Sequence, residues 1–300
     1  MSEIELLDHP SQEIEEINEE ELSYWKDAWL RLYANRPALS GLIILTFLAL
    51  CAMIIPWLSG YTYYETHLEL KNSPPSSTFW FGTDELGRDL FTRIWWGARI
   101  SLFVGVTAAL IDMVIGVFYG ASAGFIGGKV DDVMMRFSDV LHSLPYLLIV
   151  ILLMMIMRPG VATILIALTI TGWINMARIV RGQILQIKQN DYVAAAWMLG
   201  ASRWRILLRH LIPNAIGSII TTMTLTIPAA IFAEAFLSFL GLGIQAPIAS
   251  WGTMASDGLP ALRYYPWRLF FPAGFISITM FALNLLGDGL RDAFDPRLRI

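Results

Sequence analysis

Six apolar stretches separated by polar segments divide the chain. They cover residues 39–58, 100–125, 144–157, 161–176, 215–240 and 269–286. An α-helix needs about 20 largely apolar residues to cross a bilayer, and four of the six stretches reach or approach that length. The pattern therefore predicts six membrane-spanning helices.

The third and fourth stretches are shorter, and only Arg158, Pro159 and Gly160 separate them. They could form two tilted spans or one re-entrant hairpin. We favour two spans, because residues 141–144 can extend the third helix and residues 177–180 the fourth.

Composition supports a membrane protein with several spans. Of the 300 residues, 56% are apolar and 15% are charged, too few to cover a water-facing surface. The single cysteine, Cys51, lies in the first stretch. It excludes an intramolecular disulfide framework or a cysteine-based metal site.

Charge asymmetry predicts the orientation. On alternate sides of the six spans lie 14 and 7 of the 21 basic residues, and the richer side holds both termini. Positively charged loops stay in the cytoplasm, so both termini are expected there. Residues 1–38 would form an acidic N-terminal tail and lead-in helix, and residues 39–300 the six-span domain.

Two polar segments outside the spans also carry patterns. Asp84, Glu85, Arg88, Asp89 and Arg93 have i, i+3 and i+4 spacings, which favour a solvated surface helix. Residues 129–142 place their apolar side chains on one stripe, which predicts an amphipathic helix beside the membrane.

The segment Asp191–Pro213 between the fourth and fifth stretches is basic and compatible with helix. Ala194, Ala195 and Ala196 favour a short helix with a shallow surface. Gly200 permits a break or a close backbone approach. A rigid element of this kind could transmit movement across a protein interface.

Pro213 is expected to end this element before the next span. Arg203, Arg205 and Arg209 would then be placed to meet acidic or phosphate groups. The basic residues alone would also fit an ordinary cytoplasmic loop.

The combined spacing is more specific than the charges. Ala195, Ala196 and Gly200, followed by His210-Leu211-Ile212-Pro213, resemble the EAA loop of the membrane subunits of binding-protein-dependent ABC importers. Ala194 stands where the family has glutamate, so this chain has no carboxylate there for an ion pair. Residues 81–101, 234–252 and 286–297 are similar to the peptide and nickel branch, of the oligopeptide or dipeptide permease C-subunit type.

The resemblance implies an all-α membrane protein with six transmembrane helices. Its fold would be the MetI-like fold of ABC importer permeases, with a cytoplasmic coupling helix within about residues 186–213. It would move oligopeptides or dipeptides across the bacterial cytoplasmic (inner) membrane by alternating access.

The resemblance also implies the partners. They are a second homologous permease, two cytoplasmic ABC ATPase subunits, an extracytoplasmic peptide-binding protein and the lipid bilayer, with no nucleic acid. This chain would be non-catalytic and bind no cofactor, metal included, while the ATPases use ATP and magnesium. In agreement, Gly127-Gly128-Lys129 is followed by Val130 and residue 123 is alanine, so the phosphate-loop pattern fails.

Asp112 in the second stretch and Glu234 in the fifth are candidate substrate-pathway residues. Ionisable groups within spans are costly and often functional. Each could meet the charged ends of a peptide, or could be buried against a neighbouring helix and fix packing.

Other functions fit parts of the pattern. The same architecture could import nickel chelates or glutathione. An intramembrane enzyme would need catalytic or metal-binding groups inside the spans, but His9, His67, His142 and His210 all fall outside the apolar stretches. A secondary transporter has no ATPase partner and would have no need of the EAA-like segment Asp191–Pro213.

Overall fold

The computed structural model describes residues 24–294, and every regular element among them is helical. In chain order the α-helices are α1 (Tyr24–Ala34), α2 (Arg36–Leu58), α3 (Leu90–Ile126), α4 (Gly128–Ser143), α5 (Tyr146–Met157), α6 (Val161–Ile187), α7 (Asp191–Met198), α8 (Arg203–Ile206), α9 (Ile216–Phe239), α10 (Trp251–Gly258) and α11 (Trp267–Phe294). The acidic part of the predicted tail, residues 13–21, lies outside the described residues.

Five helical segments of the described chain are long and apolar enough to cross a membrane. They are α2, α3, α6, α11 and the continuous segment Arg203–Phe239 that ends in α9. The bent pair α4 and α5 is apolar and long enough to count as a sixth if the two helices together form one broken span. The predicted all-α membrane fold is confirmed, and the described residues hold five or six candidate spans against the six predicted. Helix α3 begins ten residues before the second apolar stretch.

The third predicted span is broken rather than extended. Helices α4 and α5 are bent by 79°, and Leu144 between them is extended, with φ −69° and ψ 134°. Pro145 causes the break, because proline disfavours helical geometry in the residue before it. The prediction that residues 141–144 extend the third helix was wrong. Helix α6 continues to Ile187, so the extension through residues 177–180 is confirmed.

A glycine ladder brings α3 against α6. Gly116, Gly120 and Gly124 recur at four-residue spacing on α3, and a Cβ at Gly120 would overlap the carbonyl oxygen of Ala177 on α6. Association of helices within a membrane relies on such close backbone approach, because burial of apolar surface gives little driving force there. The ladder thus fixes the central helix pair of the fold.

The charged segment before α3 is a buried turn, so the predicted solvated helix was wrong. Gly87 has φ +73°, and the Asp84 carboxylate accepts hydrogen bonds from the Arg88 backbone at 3.0 Å and from Arg88 Nε at 2.6 Å. The Asp89 side chain caps α3 at Thr92. Asp84, Arg88, Asp89 and Arg93 are each less than 7% exposed. Their side chains form hydrogen bonds or ion pairs with one another or with backbone atoms.

Helix α4 contains the predicted amphipathic segment 129–142. Asp131 and Ser138 are its buried residues, and Asp131 accepts two 2.6 Å hydrogen bonds from Arg181 of α6. Its apolar side chains Val133, Phe137 and Val140 are more than half exposed. The helix therefore presents its apolar stripe away from this subunit.

Candidate functional site

The loop that follows α6 is a short helical hairpin. Helix α7 holds Ala194 and Ala195, which are exposed, and Ala196, which is half-buried. The turn after α7 contains Gly200, whose φ of +79° lies in the left-handed region that side chains disfavour. A glycine at this position therefore permits the reversal between α7 and α8.

Apolar contacts anchor the hairpin to the spans. Val193 of α7 and Ile206 of α8 are at most 1% exposed and belong to one cluster with Val180 and Ile184 of α6. Ser202 caps α8 through the Arg205 backbone. Movement of the hairpin would therefore be transmitted to the C-terminal part of α6.

The tip of the hairpin is exposed and apolar. Met198 is 83% exposed, Leu199 88% and Trp204 67%. The exposed residues Arg203 and Arg205 flank them. A concentration of exposed large apolar side chains rimmed by charge is typical of a protein interaction surface.

Pro213 does not end the element, contrary to the sequence prediction. A π-helical turn at Leu207–Leu211 and a 3-10 turn at Pro213–Ala215 continue the chain from α8 into α9. Proline is tolerated in the first turn of a helical segment, where its missing N–H costs little. The Asn214 side chain donates to the carbonyl oxygen of half-buried His210 at 2.6 Å across this irregular stretch.

A second candidate site is a cavity of about 380 Å³ within the membrane-spanning region, between α3, α5, α6 and α9. Its walls are mainly apolar, with five polar side chains among them: Asp112, Tyr146, Asn175, Thr222 and Thr226. The Thr222 and Thr226 hydroxyls donate to carbonyl oxygens of α9 itself. This volume is within the range of about 300–1,000 Å³ usual for small-ligand pockets.

Asp112 is 4% exposed and lines this cavity. Its Oδ1 atom has no hydrogen-bond partner, and neither has the hydroxyl of Tyr146. Sequence reasoning singled out Asp112 but missed Tyr146 and Asn175. Asn175 did leave a signal, since it is a polar residue within the fourth apolar stretch.

Glu234 is fully buried and lies among serines. Its Oε1 accepts hydrogen bonds from Ser250 at 2.7 Å and Ser238 at 2.9 Å, and its Oε2 accepts one from Ser101 at 3.2 Å. It is absent from the lining of the cavity that holds Asp112. The two predicted pathway residues are therefore in different surroundings, and the contacts of Glu234 are those of a packing residue.

Within residues 24–294, no group of three or more histidine, cysteine or acidic side chains is arranged to hold a metal ion.

Comparison with known proteins identifies the family of this chain. Residues 116–300 match the family model described as binding-protein-dependent transport system inner membrane component. The chain belongs to this family. Residues 23–75 match the model of the N-terminal transmembrane domain of oligopeptide transport permease C.

Several curated relatives of this permease family are similar over nearly their whole length. The chain is 61% identical to the oligopeptide transport system permease protein OppC of Bacillus subtilis, over 95% of this chain and 93% of the relative. It is also 61% identical to the dipeptide transport system permease protein DppC of the same organism, over 96% and 91%. Identity to OppC of Escherichia coli is 45%, over 95% of each chain.

The chain is thus a multi-pass inner-membrane permease of an ABC importer and not an enzyme. Permeases of this family work with a binding protein, and separate subunits hydrolyse ATP. The helical hairpin α7–α8 coincides with the segment whose sequence resembles the family's EAA loop.

Proposed function

We propose that this chain imports oligopeptides or dipeptides as one permease subunit of an ATP-driven transporter. The observation that carries the proposal is 61% identity to both an oligopeptide and a dipeptide permease over at least 95% of this chain. Such identity across all spans makes a shared substrate class the simplest interpretation.

The α7–α8 hairpin is the proposed coupling element for the ATPases. Its exposed Met198, Leu199 and Trp204 would enter a groove on an ATPase subunit, with Arg203 and Arg205 contacting acidic groups at the rim. The buried contacts between the hairpin and α6 support this role, because they join the proposed docking surface to the spans.

The proposed assembly contains a second, homologous permease and two ATPase subunits, which use ATP and magnesium. An extracytoplasmic protein would deliver the peptide. The N-terminal segment up to residue 38 would be cytoplasmic and residues 39–300 would form the permease domain. Both termini and the α7–α8 hairpin would face the cytoplasm, as the distribution of basic residues indicates.

Transport would proceed by alternating access. Closure of the ATPases on ATP would move the α7–α8 hairpin, and the spans joined to it would turn from an inward-open to an outward-open arrangement. The cavity that contains Asp112 is the proposed part of the pathway contributed by this subunit.

The test is ATP-dependent uptake into proteoliposomes that contain the assembled transporter and its binding protein. Radiolabelled di- and tetrapeptides, a nickel chelate and glutathione are offered separately. We expect uptake of at least one peptide class, and none when the ATPases carry a substitution that prevents hydrolysis. Uptake of only the nickel chelate or glutathione, with no peptide transport, would overturn the proposal.

A further inference from the structure

The membrane cavity contains a carboxylate that the protein leaves without a partner. Asp112 is 4% exposed, and its Oδ1 lacks any hydrogen-bond partner among the described residues. An unpaired carboxylate inside a membrane is costly. A ligand that supplies a positive charge or strong donors would remove that cost.

Two further polar groups are available in the same cavity. The Tyr146 hydroxyl is buried and also unpartnered. Asn175 lines the cavity from α6, and its side chain is exposed. A hydroxyl, an amide oxygen and a carboxylate in one cavity can each accept a hydrogen bond, and an ammonium group has three donors.

Gly172 of α6 determines where the carboxylate can lie. A Cβ at this position would overlap Asp112 Oδ2, so the absence of a side chain permits the carboxylate to sit against the α6 backbone. The other oxygen, Oδ1, is fully buried and has no hydrogen-bond partner. The surrounding wall is mainly apolar, with Leu168, Ala229 and Ala233 among its members.

We propose that Asp112, assisted by Tyr146 and Asn175, binds the protonated α-amino group of a peptide in transit. Glu234 cannot do so in this conformation, because all its hydrogen bonds go to serines in a fully buried site. This inference rests on the proposed peptide transport and specifies the end of the peptide that this subunit recognises.

The experiment uses the assembled permease–ATPase complex in lipid nanodiscs, without the binding protein, so that only the selectivity of the membrane subunits is measured. A tetrapeptide carrying a photoreactive phenylalanine is crosslinked to the complex. Unlabelled tripeptides of one sequence, with either a free or an acetylated amino terminus, compete with it. Wild type is compared with Asp112→Asn, Asp112→Glu and Tyr146→Phe.

The matched control is Thr279→Val, which removes a buried and unpartnered hydroxyl of α11 that does not line this cavity. In wild type and Thr279→Val, the free-amine peptide should compete at least about tenfold better than the acetylated one, the loss expected for one charge-assisted hydrogen bond. Asp112→Asn should abolish that preference, Asp112→Glu should retain part of it, and Tyr146→Phe should reduce it.

Equal competition by the two tripeptides in wild type would overturn the inference, as would an undiminished preference in correctly assembled Asp112→Asn. The inference would also be overturned if wild-type complexes transport peptides but the photoreactive tetrapeptide forms no crosslink to α3, α5, α6 or α9. Failure of the proposed function is a different outcome, in which the complete transporter takes up no peptide.

Discussion

The Ser250 hydroxyl donates a 2.7 Å hydrogen bond to Glu234 Oε1, and this bond joins the start of α10 to the C-terminal part of α9. The same serine caps α10 by accepting from the Thr253 backbone. Ser101 adds α3 to the group, because it donates to Glu234 Oε2 and accepts from the Trp251 backbone. One carboxylate therefore holds three helices together.

Glu234→Gln should destabilise the protein by about 1–3 kcal/mol, because an amide offers one acceptor oxygen where the serines now use two. Thermal unfolding of the solubilised complex measures the effect. Glu69→Gln, at an exposed carboxylate, is the control and should match wild type. Reduced peptide uptake with unchanged unfolding would instead indicate a pathway role for Glu234.

Asp131→Asn should loosen α4 from α6. The two 2.6 Å bonds between Asp131 and Arg181 involve a carboxylate only 8% exposed, so their loss should cost about 1–3 kcal/mol. Asp139→Asn breaks the exposed pair with Arg178 and should cost less than about 1 kcal/mol. Protease cleavage within α4, measured for both variants, should increase only for the first. Equal cleavage would show that the buried pair does not hold the helix.

Alanine at two glycines should have opposite effects. At Gly120 the new Cβ would overlap the Ala177 carbonyl, so α3 and α6 must separate at a cost of about 1–3 kcal/mol. At Gly182 nothing lies within contact distance, and alanine should stabilise α6 by about 0.5–1 kcal/mol. Thermal unfolding of both variants measures these two changes in stability. A Gly120→Ala protein as stable as wild type would contradict the close packing of this helix pair.

The double substitution Met198→Ser and Leu199→Ser should weaken binding of the ATPases without destabilising the permease, because both side chains are more than 80% exposed. Co-purification of the ATPase subunits measures binding. Tyr264→Ser, at an aromatic 70% exposed elsewhere on the protein, is the control. Normal ATPase recovery with the double variant would exclude the hairpin tip as the docking surface.

The orientation is tested by cysteine labelling of sealed cells in a Cys51→Ser background. Ser76 and Ser202 are both exposed, so a cysteine at either position should react if the reagent reaches it. A membrane-impermeant reagent should label Ser76→Cys and leave Ser202→Cys unlabelled until the cells are opened. Labelling of Ser202→Cys in sealed cells would reverse the proposed topology.

Most helices could be predicted from the sequence because the bilayer requires long apolar runs. The start of α3 could not, since Arg93 and Arg99 interrupt the apolar pattern while the helix itself continues back to its cap at Asp89. The spacing of Asp84 and Arg88 suited a helix equally well, but Gly87 at positive φ and the buried carboxylate of Asp84 favour a turn. Local spacing gave no information on that burial.

The candidate sites were predictable to different degrees. Gly200 and the alanines before it form a local pattern, so the hairpin could be predicted from adjacent residues. The surroundings of Asp112 and Glu234 depend on contacts between distant segments, such as Glu234 with Ser101, 133 positions away. Only Ser238, four residues after Glu234, is a local donor, and it does not reveal that Ser101 and Ser250 complete the group.

Helix α5 contains 12 residues, and at about 1.5 Å per residue it covers little more than half of a hydrocarbon layer about 30 Å thick. Where lipids contact α5, they meet a short apolar surface, to which the bilayer can adapt by local thinning. The energetic cost of that adaptation rises with acyl-chain length. Lipid composition should thus influence the transport cycle through α5, and membranes with shorter acyl chains should accommodate this subunit most easily.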